Sequence, residues 1–221
     1  MAKYYKNSQQ QIQFLIDTLS ITSQSKGVDL GCQSGEHLQK LQNISPTIYG
    51  IDLKKFSNLK NFYQLDFFRE DIPLSNLDFA YCLSPYFDTD WWKIEDFLEN
   101  VHSCLKMNGH FILDLFHYHT MKVGDKRQTH TLTKSEVTVS TFTREPDRVS
   151  LQRTIIRFDG QQKHITGVWR VFTQDELVTL LDQQGFMILH QYGDFDKNAP
   201  LDWNTPISET KRLVIHAKKY R

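Results

Sequence analysis

The sequence has few of the residues that build disulfide frameworks and metal sites. It contains three cysteines among 221 residues, and Cys32, Cys82 and Cys104 lie far apart with no CxxC pair. This spacing argues against both a zinc site and a disulfide framework. Each thiol is expected to pack as a small apolar residue in a reducing compartment. We therefore expect no metal site.

An excess of charge of one sign and long apolar runs are also lacking. Lysine plus arginine total 26, as do aspartate plus glutamate, so the formal net charge is zero. Proteins that bind nucleic acid usually carry a basic excess, so we do not expect a nucleic-acid partner. No apolar run is long enough to span a bilayer, and residues 1–11 lack the apolar core of a signal peptide. These absences predict a cytoplasmic protein without a membrane partner, either a monomer or a homodimer.

The residues that are present suffice for a folded core, and their pattern alternates between strands and helices. Hydrophobic residues make up 39% of the chain. A helix is predicted over 8–19, a second around Leu38 and Leu41, and a third over 90–106 that Asn108-Gly109 is expected to end. Buried strands are predicted over 27–31, 47–52, 62–66, 77–83 and 109–116. This order predicts a doubly wound α/β fold, with a mostly parallel seven-stranded sheet and helices on both faces.

The alternation breaks after the fifth strand. Three antiparallel strands are predicted over 135–144, 148–158 and 163–172, with Asp159-Gly160 as a hairpin turn. A helix with a capping box from Thr173 to Glu176 follows, and two strands over 186–195 and 212–218 end the chain. We thus predict one domain over 1–221 with an antiparallel insertion that is suited to form a lid or a substrate wall. Its parts are an N-terminal helical segment (1–26), a cofactor-binding core (27–116), the insertion (117–172) and a C-terminal helix with two strands (173–221).

A glycine turn follows the first strand in the segment VDLGCQSG. A dinucleotide fingerprint counted from Gly31 needs glycines at positions that hold Gln33 and Glu36, which argues against a nicotinamide or flavin enzyme. The phosphate-loop pattern GxxxxGK[ST] is absent from the chain. The turn still lets a ligand approach the backbone, because glycine carries no side chain.

Acidic residues stand at or near the ends of the first three strands, where ligands bind in such sheets. Asp29 belongs to the first strand, and Asp52 ends the second, where it can accept both hydroxyls of a ribose. Asp66 can accept from an adenine amine, and Phe67 offers an apolar surface. Together these residues describe a nucleoside pocket without a phosphate site. Such a pocket suits a ligand with a sulfonium and an amino-acid tail.

Five segments resemble a known family. VDLGCQSGEHLQKL is similar to the first motif of class I S-adenosylmethionine-dependent methyltransferases, usually written LDLGCGxG, and TIYGIDL to their second motif. LDFAYCLSPYFDTDWW resembles the fourth-strand region of small-molecule methyltransferases. LKMNGHFILDL and VWRVFTQDELVTLLDQQGFMILHQYGDFD resemble two later segments of that group. The resemblance runs in order over nearly the whole chain.

The resemblance implies an enzyme that binds S-adenosylmethionine and methylates a nitrogen or oxygen of a small molecule. It places the methionine moiety at the glycine turn, the ribose at Asp52, the adenine at Asp66 and Phe67, and the sulfonium near Leu83. The implied cofactor-binding residues are Asp29, Gly31, Gln33, Gly35, Asp52, Leu53, Asp66, Phe67 and Leu83. The family's middle glycine is Gln33 here, and this side chain either narrows the cofactor channel or points away.

The acceptor side of the site is less defined. Tyr86 and His117 are candidate catalytic bases, and Arg170 could bind a carboxylate or phosphate through two hydrogen bonds. Structural roles stay open for all three: packing for Tyr86, an exposed strand position for His117, and pairing of the insertion with the core for Arg170. Two other functions also remain open. Gln33 favours a non-catalytic partner-binding module, and methylation of RNA is the other alternative.

Overall fold

The computed structural model describes residues 8–56, 58–83, 94–116, 121–198 and 212–221. In the first half, the elements are α1 (Ser8–Leu19), β1 (Gly27–Leu30), α2 (Glu36–Gln42), β2 (Ile48–Asp52), β3 (Phe62–Gln64), β4 (Leu77–Cys82), α3 (Ile94–Cys104) and β5 (Leu105–Phe116). They continue with β6 (Lys126–Leu132), β7 (Glu136–Arg144), β8 (Arg148–Arg157), β9 (Gln162–Arg170), α4 (Gln174–Gln183), β10 (Phe186–Gly193) and β11 (Arg212–Lys219).

The main sheet of the described residues has seven strands in the order β10-β11-β5-β4-β1-β2-β3. Strands β1 to β5 pair in parallel, whereas β11 is antiparallel to both β5 and β10. The strand order reverses at β1, which lies between β4 and β2. Ligands bind at the carboxyl edge beside such a reversal. The predicted mostly parallel, doubly wound sheet is confirmed.

Apolar side chains are buried on both faces of this sheet. On one face, Val28 and Leu30 of β1 join a core with Phe97 of α3 and Leu177 of α4. The opposite face belongs to a second core, in which Leu15 of α1 and Leu38 of α2 take part. Helices therefore cover both faces, as the sequence predicts. All four residues of β1 are buried, so the end of this strand is held from both sides.

The insertion forms a separate sheet in the order β6-β7-β8-β9. The turn at Asp159-Gly160 is confirmed, because Gly160 has a φ of 87° and donates its N–H to the carbonyl of Arg157 at 3.0 Å. Strand β6 is missing from the sequence prediction. All seven of its residues, KRQTHTL, are exposed, so they lack the alternation of a half-buried strand. Backbone pairing with β7 alone makes this segment a strand.

The boundary between α3 and β5 corrects the sequence prediction. The helix ends at Cys104, before the expected stop at Asn108-Gly109, and β5 begins at once with Leu105. Asn108 has a φ of 64° inside the strand, near a shift in the β4–β5 register. A Cβ on Gly109 would lie 2.9 Å from the carbonyl oxygen of Lys106. The Asn-Gly pair therefore shapes an irregularity in the strand, where side chains would crowd the backbone.

The predicted capping box of α4 is confirmed. Thr173 Oγ1 accepts from the Glu176 N–H at 3.2 Å, and the Glu176 carboxylate accepts from the Thr173 N–H at 2.8 Å. Two backbone donors at the helix start are thus satisfied. Among the described residues, the helices are too short or too polar to cross a membrane.

Candidate functional site

The glycine turn is fixed to β2 by backbone hydrogen bonds. Gly31 and Cys32 donate their N–H groups to the carbonyl of Ile51, at 2.8 Å and 3.1 Å. Gly31 has a φ of 80°, and among the described residues a Cβ there would meet only Cζ of Phe67, at 3.9 Å. The space in front of Gly31 is therefore open toward a ligand. At Gly35 the reason for glycine differs, because a Cβ would lie 2.3 Å from Leu59 Cδ2.

Gln33, at the position of the middle glycine in the motif, takes a backbone conformation that favours glycine. Its φ is 49°, in the left-handed region. Its backbone N–H donates to Oδ2 of Asp52 at 2.9 Å. This bond is made by the main chain, so the turn keeps its connection to Asp52 without a glycine. The Gln33 side chain is half-buried.

Asp52 stands at the end of β2, beside the turn. Its Oδ1 accepts the N–H of Lys54 at 2.9 Å, while Oδ2 accepts from Gln33. A carboxylate has about four acceptor positions, so each oxygen can accept one further hydroxyl. The next residue, Leu53, is 56% exposed although it is apolar. An acceptor for ribose hydroxyls and an apolar contact surface thus lie side by side.

Asp29 is buried near the same edge. Its pKa is raised from 3.8 to about 7, mainly by burial and also by the charge of Asp52. The Tyr81 hydroxyl acts in the opposite direction, because it favours the ionised carboxylate, although no hydrogen bond of good geometry forms between them. Tyr81 lies opposite Asp29 on the neighbouring strand β4. Sequence reasoning missed Tyr81, because the register between β1 and β4 was unknown.

Asp66 caps a turn after β3. Its Oδ1 accepts the N–H of Phe68 at 3.2 Å, and its Oδ2 lies 3.3 Å from Nη1 of Arg69. Phe67 is buried, and its ring centroid is 5.8 Å from that of Phe97 in the core. Cζ of Phe67 lies 3.9 Å from the position that a Cβ on Gly31 would take. Adenine binding by Asp66 and Phe67 remains a prediction.

The predicted acceptor residues are only partly within the described structure. Tyr86 and His117 lie outside the described residues, whereas Leu83 is buried just beyond the end of β4. Arg170 ends β9, where its guanidinium lies 4.0 Å from the Glu176 carboxylate and 4.8 Å from the ring centre of Phe172. The structure thus connects Arg170 to the start of α4. Its catalytic role stays a prediction.

The described histidine, cysteine and acidic side chains form no cluster of three or more that could hold a metal ion. All three cysteines are free and buried. Burial raises the pKa of Cys104 to about 12, and it also raises that of Cys32. These thiols pack as neutral apolar groups.

Comparisons with known proteins find relatives by structure alone. Neither a family model nor a curated protein matches the sequence. An S-adenosylmethionine-dependent methyltransferase from Clostridium acetobutylicum superimposes with a TM-score of 0.79 at 17% identity, covering 100% of this chain and 95% of that one. An amino pentose methyltransferase from Micromonospora echinaspora gives 0.68 at 14% identity, with 98% and 91% covered. A sugar N-methyltransferase from Streptoalloteichus gives 0.63 at 15% identity, with 99% and 88% covered.

These likenesses show the class of fold. The chain has the Rossmann-like fold of S-adenosylmethionine-dependent methyltransferases over essentially its full described length. This agrees with the class I family that the sequence motifs resemble. The glycine turn and Asp52 stand at the carboxyl edge of the sheet, beside the reversal in strand order.

Proposed function

We propose that this protein is a methyltransferase that uses S-adenosylmethionine and modifies a small-molecule acceptor. The main support is the joint geometry of the turn and Asp52. Among the described residues, the space in front of Gly31 is open, and the N–H of Gln33 holds Asp52 beside it at 2.9 Å. This arrangement leaves acceptor positions on Asp52 for ribose hydroxyls. The fold supports the same proposal.

The residues of the site fit the remaining parts of the cofactor. Asp29 is buried and titrates near neutrality, so it can carry a negative charge toward a cationic amino-acid tail. Exposed Leu53 offers an apolar surface next to the ribose position. S-adenosylmethionine supplies an activated methyl group, so the protein mainly has to position the acceptor and exclude water.

The acceptor is proposed to be a small molecule, methylated on nitrogen or oxygen. Two of the similar structures are methyltransferases of an amino pentose and of a sugar nitrogen, which favours nitrogen. A neutral amine needs no strong base, whereas a hydroxyl acceptor usually does. The inserted sheet is suited to form the acceptor side of the site, since it follows β5 directly.

Calorimetric titration with S-adenosylhomocysteine tests the cofactor site. We expect a dissociation constant of about 1–100 µM for the unmodified protein. Asp52→Asn should weaken binding by roughly tenfold or more, because a carboxylate accepts stronger hydrogen bonds than an amide. Asp159→Asn, in the exposed hairpin turn, is the matched control and should bind normally.

Failure to bind would overturn the enzymatic proposal and favour the partner-binding module. Binding without transfer to any small molecule, combined with an RNA mobility shift that weakens with salt, would favour an RNA methyltransferase. Transfer of labelled methyl groups to amino sugars or other small amines would support the proposed acceptor class.

A further inference from the structure

A buried arginine of the inserted sheet forms no ion pair with the acidic residues that the structure describes. Arg144 ends β7 and is only 9% exposed. Its Nη1 donates to the carbonyl of Arg148 at 3.3 Å, but its enclosed Nε has no hydrogen-bond partner in the described part of the chain. The charge of Asp147 acts on Arg144, but the Asp147 carboxylate lies 3.1 Å from Nε of Arg148 instead. Arg144 therefore keeps its charge largely uncompensated.

A buried, charged guanidinium lowers the stability of the folded protein unless an anion binds to it. Burial lowers the pKa of Arg144, which reflects the penalty on the charged form. The hydrogen bond to Arg148 uses only Nη1. Nε is enclosed by the protein, so among the described contacts Nη2 is the donor that remains for a ligand, and it can donate to an oxygen of a carboxylate or of a phosphate.

The backbone holds Arg144 firmly at the base of the insertion. Its N–H donates to the carbonyl of Asp125 at 2.9 Å, and its carbonyl accepts from Gly124 at 2.8 Å. Arg144 is paired with Val149, which is in turn paired with Trp169, so the three side chains share one face of the sheet. Val149 and Trp169 are buried on that face.

The chain joins this base to the main sheet at both ends of the insertion. Met121 packs in the same small cluster as Val149 and Trp169, and it follows the last residue of β5 by five positions. At the other end of the insertion, Phe172 is part of the main core. A face joined to the sheet after the carboxyl end of β5 is suited to hold an acceptor for the proposed cofactor.

The charge of the insertion also favours an anion. Residues 121–170 contain ten lysines and arginines but five aspartates and glutamates, although the whole chain has a net charge of zero. The positive charge is thus concentrated on the inserted sheet. Arg170 is less suited to bind the anion, because it neighbours Trp169 along β9 and so points to the other face, toward Glu176.

We propose that Arg144 binds an anionic oxygen group of the methyl acceptor, so that the acceptor is a small molecule with a carboxylate or a phosphate. This inference rests on the proposed methyltransferase function only where it identifies the bound anion as part of the methyl acceptor. The anion site itself can be measured without any methyl transfer.

Thermal unfolding with added anions tests the proposal. Sodium acetate and sodium phosphate are titrated against sodium chloride at equal ionic strength, with and without saturating S-adenosylhomocysteine. We expect acetate, phosphate or both to raise the Tm of the unmodified protein along a saturable curve, because a bound anion stabilises the folded state. Arg144→Gln should lose this anion-specific rise. A response to acetate alone indicates a carboxylate, and a stronger response to phosphate indicates a phosphate ester.

Arg157→Gln is the matched control, since it removes one positive charge from the same sheet at a side chain that is 56% exposed. It should keep the saturable response. Arg144→Lys retains the charge without the planar fork and should weaken the apparent affinity by at least about fivefold. If Arg144→Gln does not fold, the Arg144→Lys variant tests the proposal in its place.

Equal anion responses in the unmodified protein and the Arg144 variants would overturn the proposal, as would the absence of any response beyond chloride. The effect of S-adenosylhomocysteine on Tm reports separately on the cofactor site. If S-adenosylhomocysteine does not change the Tm, this result counts against the proposed function, and the anion titration can still be interpreted.

Discussion

At the scale of single residues, Asp29 is a buried carboxyl group whose pKa is raised to near neutrality. It is buried two residues before Gly31, and burial together with Asp52 raises its pKa to about 7. The ionised form attracts a cationic amino-acid tail, and the neutral form does not. We expect the affinity for S-adenosylhomocysteine to fall as the pH is lowered from about 8 to about 6, and Asp29→Asn to remove this dependence, in calorimetric titrations.

A variant of Tyr81 tests the direction of this pH dependence. Its hydroxyl lowers the pKa of Asp29, so Tyr81→Phe should move the midpoint of the binding curve to higher pH. Tyr49→Phe, a half-buried tyrosine on β2, should leave the midpoint in place. A midpoint that stays constant in Tyr81→Phe, or moves to lower pH, would show that another group controls binding.

At the scale of elements, a buried ion pair joins β11 to β5. Nε of Arg212 donates to Oδ1 of Asp114 at 2.6 Å, and the side chains are 9% and 0% exposed. Removing only the arginine takes away the positive charge beside a buried carboxylate. We expect Arg212→Met to lower the free energy of unfolding by about 3–5 kcal/mol, measured by chemical denaturation.

The double variant separates the loss of the pair from the loss of packing. Asp114→Leu combined with Arg212→Met should recover most of the stability, since two apolar side chains carry no unpaired charge. Arg157→Met, which breaks the exposed pair with Glu136, should cost less than about 1 kcal/mol. A double variant less stable than Arg212→Met would indicate that the pair itself stabilises the sheet.

The same elements show how far the sequence predicts the fold. The buried strands of the main sheet could be predicted, because an apolar run such as Gly27–Leu30 must lie between two covered faces. The helix at Gln174–Gln183 could be predicted from its capping box. Strand β6 could not, because all its side chains are exposed and only its backbone pairing defines it. The end of α3 was misplaced, because Asn108-Gly109 is equally typical of a helix stop and of an irregular strand.

The candidate site, like the fold, could be predicted only in part. Gly31 and Asp52 were identified from their places at strand ends, and the structure brings them together through Gln33. Tyr81 was missed because its place beside Asp29 depends on strand register. Arg144 was missed because its importance depends on the hydrogen-bond partners that it lacks among the described residues. Neither property can be obtained from spacing along one segment.

At the scale of the whole molecule, three histidines lie close together on β5, β11 and β10 of the main sheet. Nδ1 of His110 and Nε2 of His216 are 2.8 Å apart, and the ring of His190 is 6.0 Å from that of His216. Burial and the neighbouring histidines lower the pKa of His216 from 6.5 to about 3. Between these two pH values, His216 binds a proton in the unfolded chain but stays neutral in the folded protein. The free energy of unfolding therefore decreases as the pH falls from about 6.5 to about 3.

Asp29 produces the opposite slope. Its folded pKa of about 7 lies above the unfolded value of 3.8, so its contribution is lost as the pH rises between them. Because the two windows overlap, we expect the Tm of the unmodified protein to change little between about pH 4 and pH 6.5. Asp29→Asn should then become steadily more stable as the pH rises, and His216→Phe steadily less stable. His130→Gln, at an exposed position of β6, should follow the unmodified protein. Parallel curves for all four proteins would mean that neither buried group controls the acid stability of the fold.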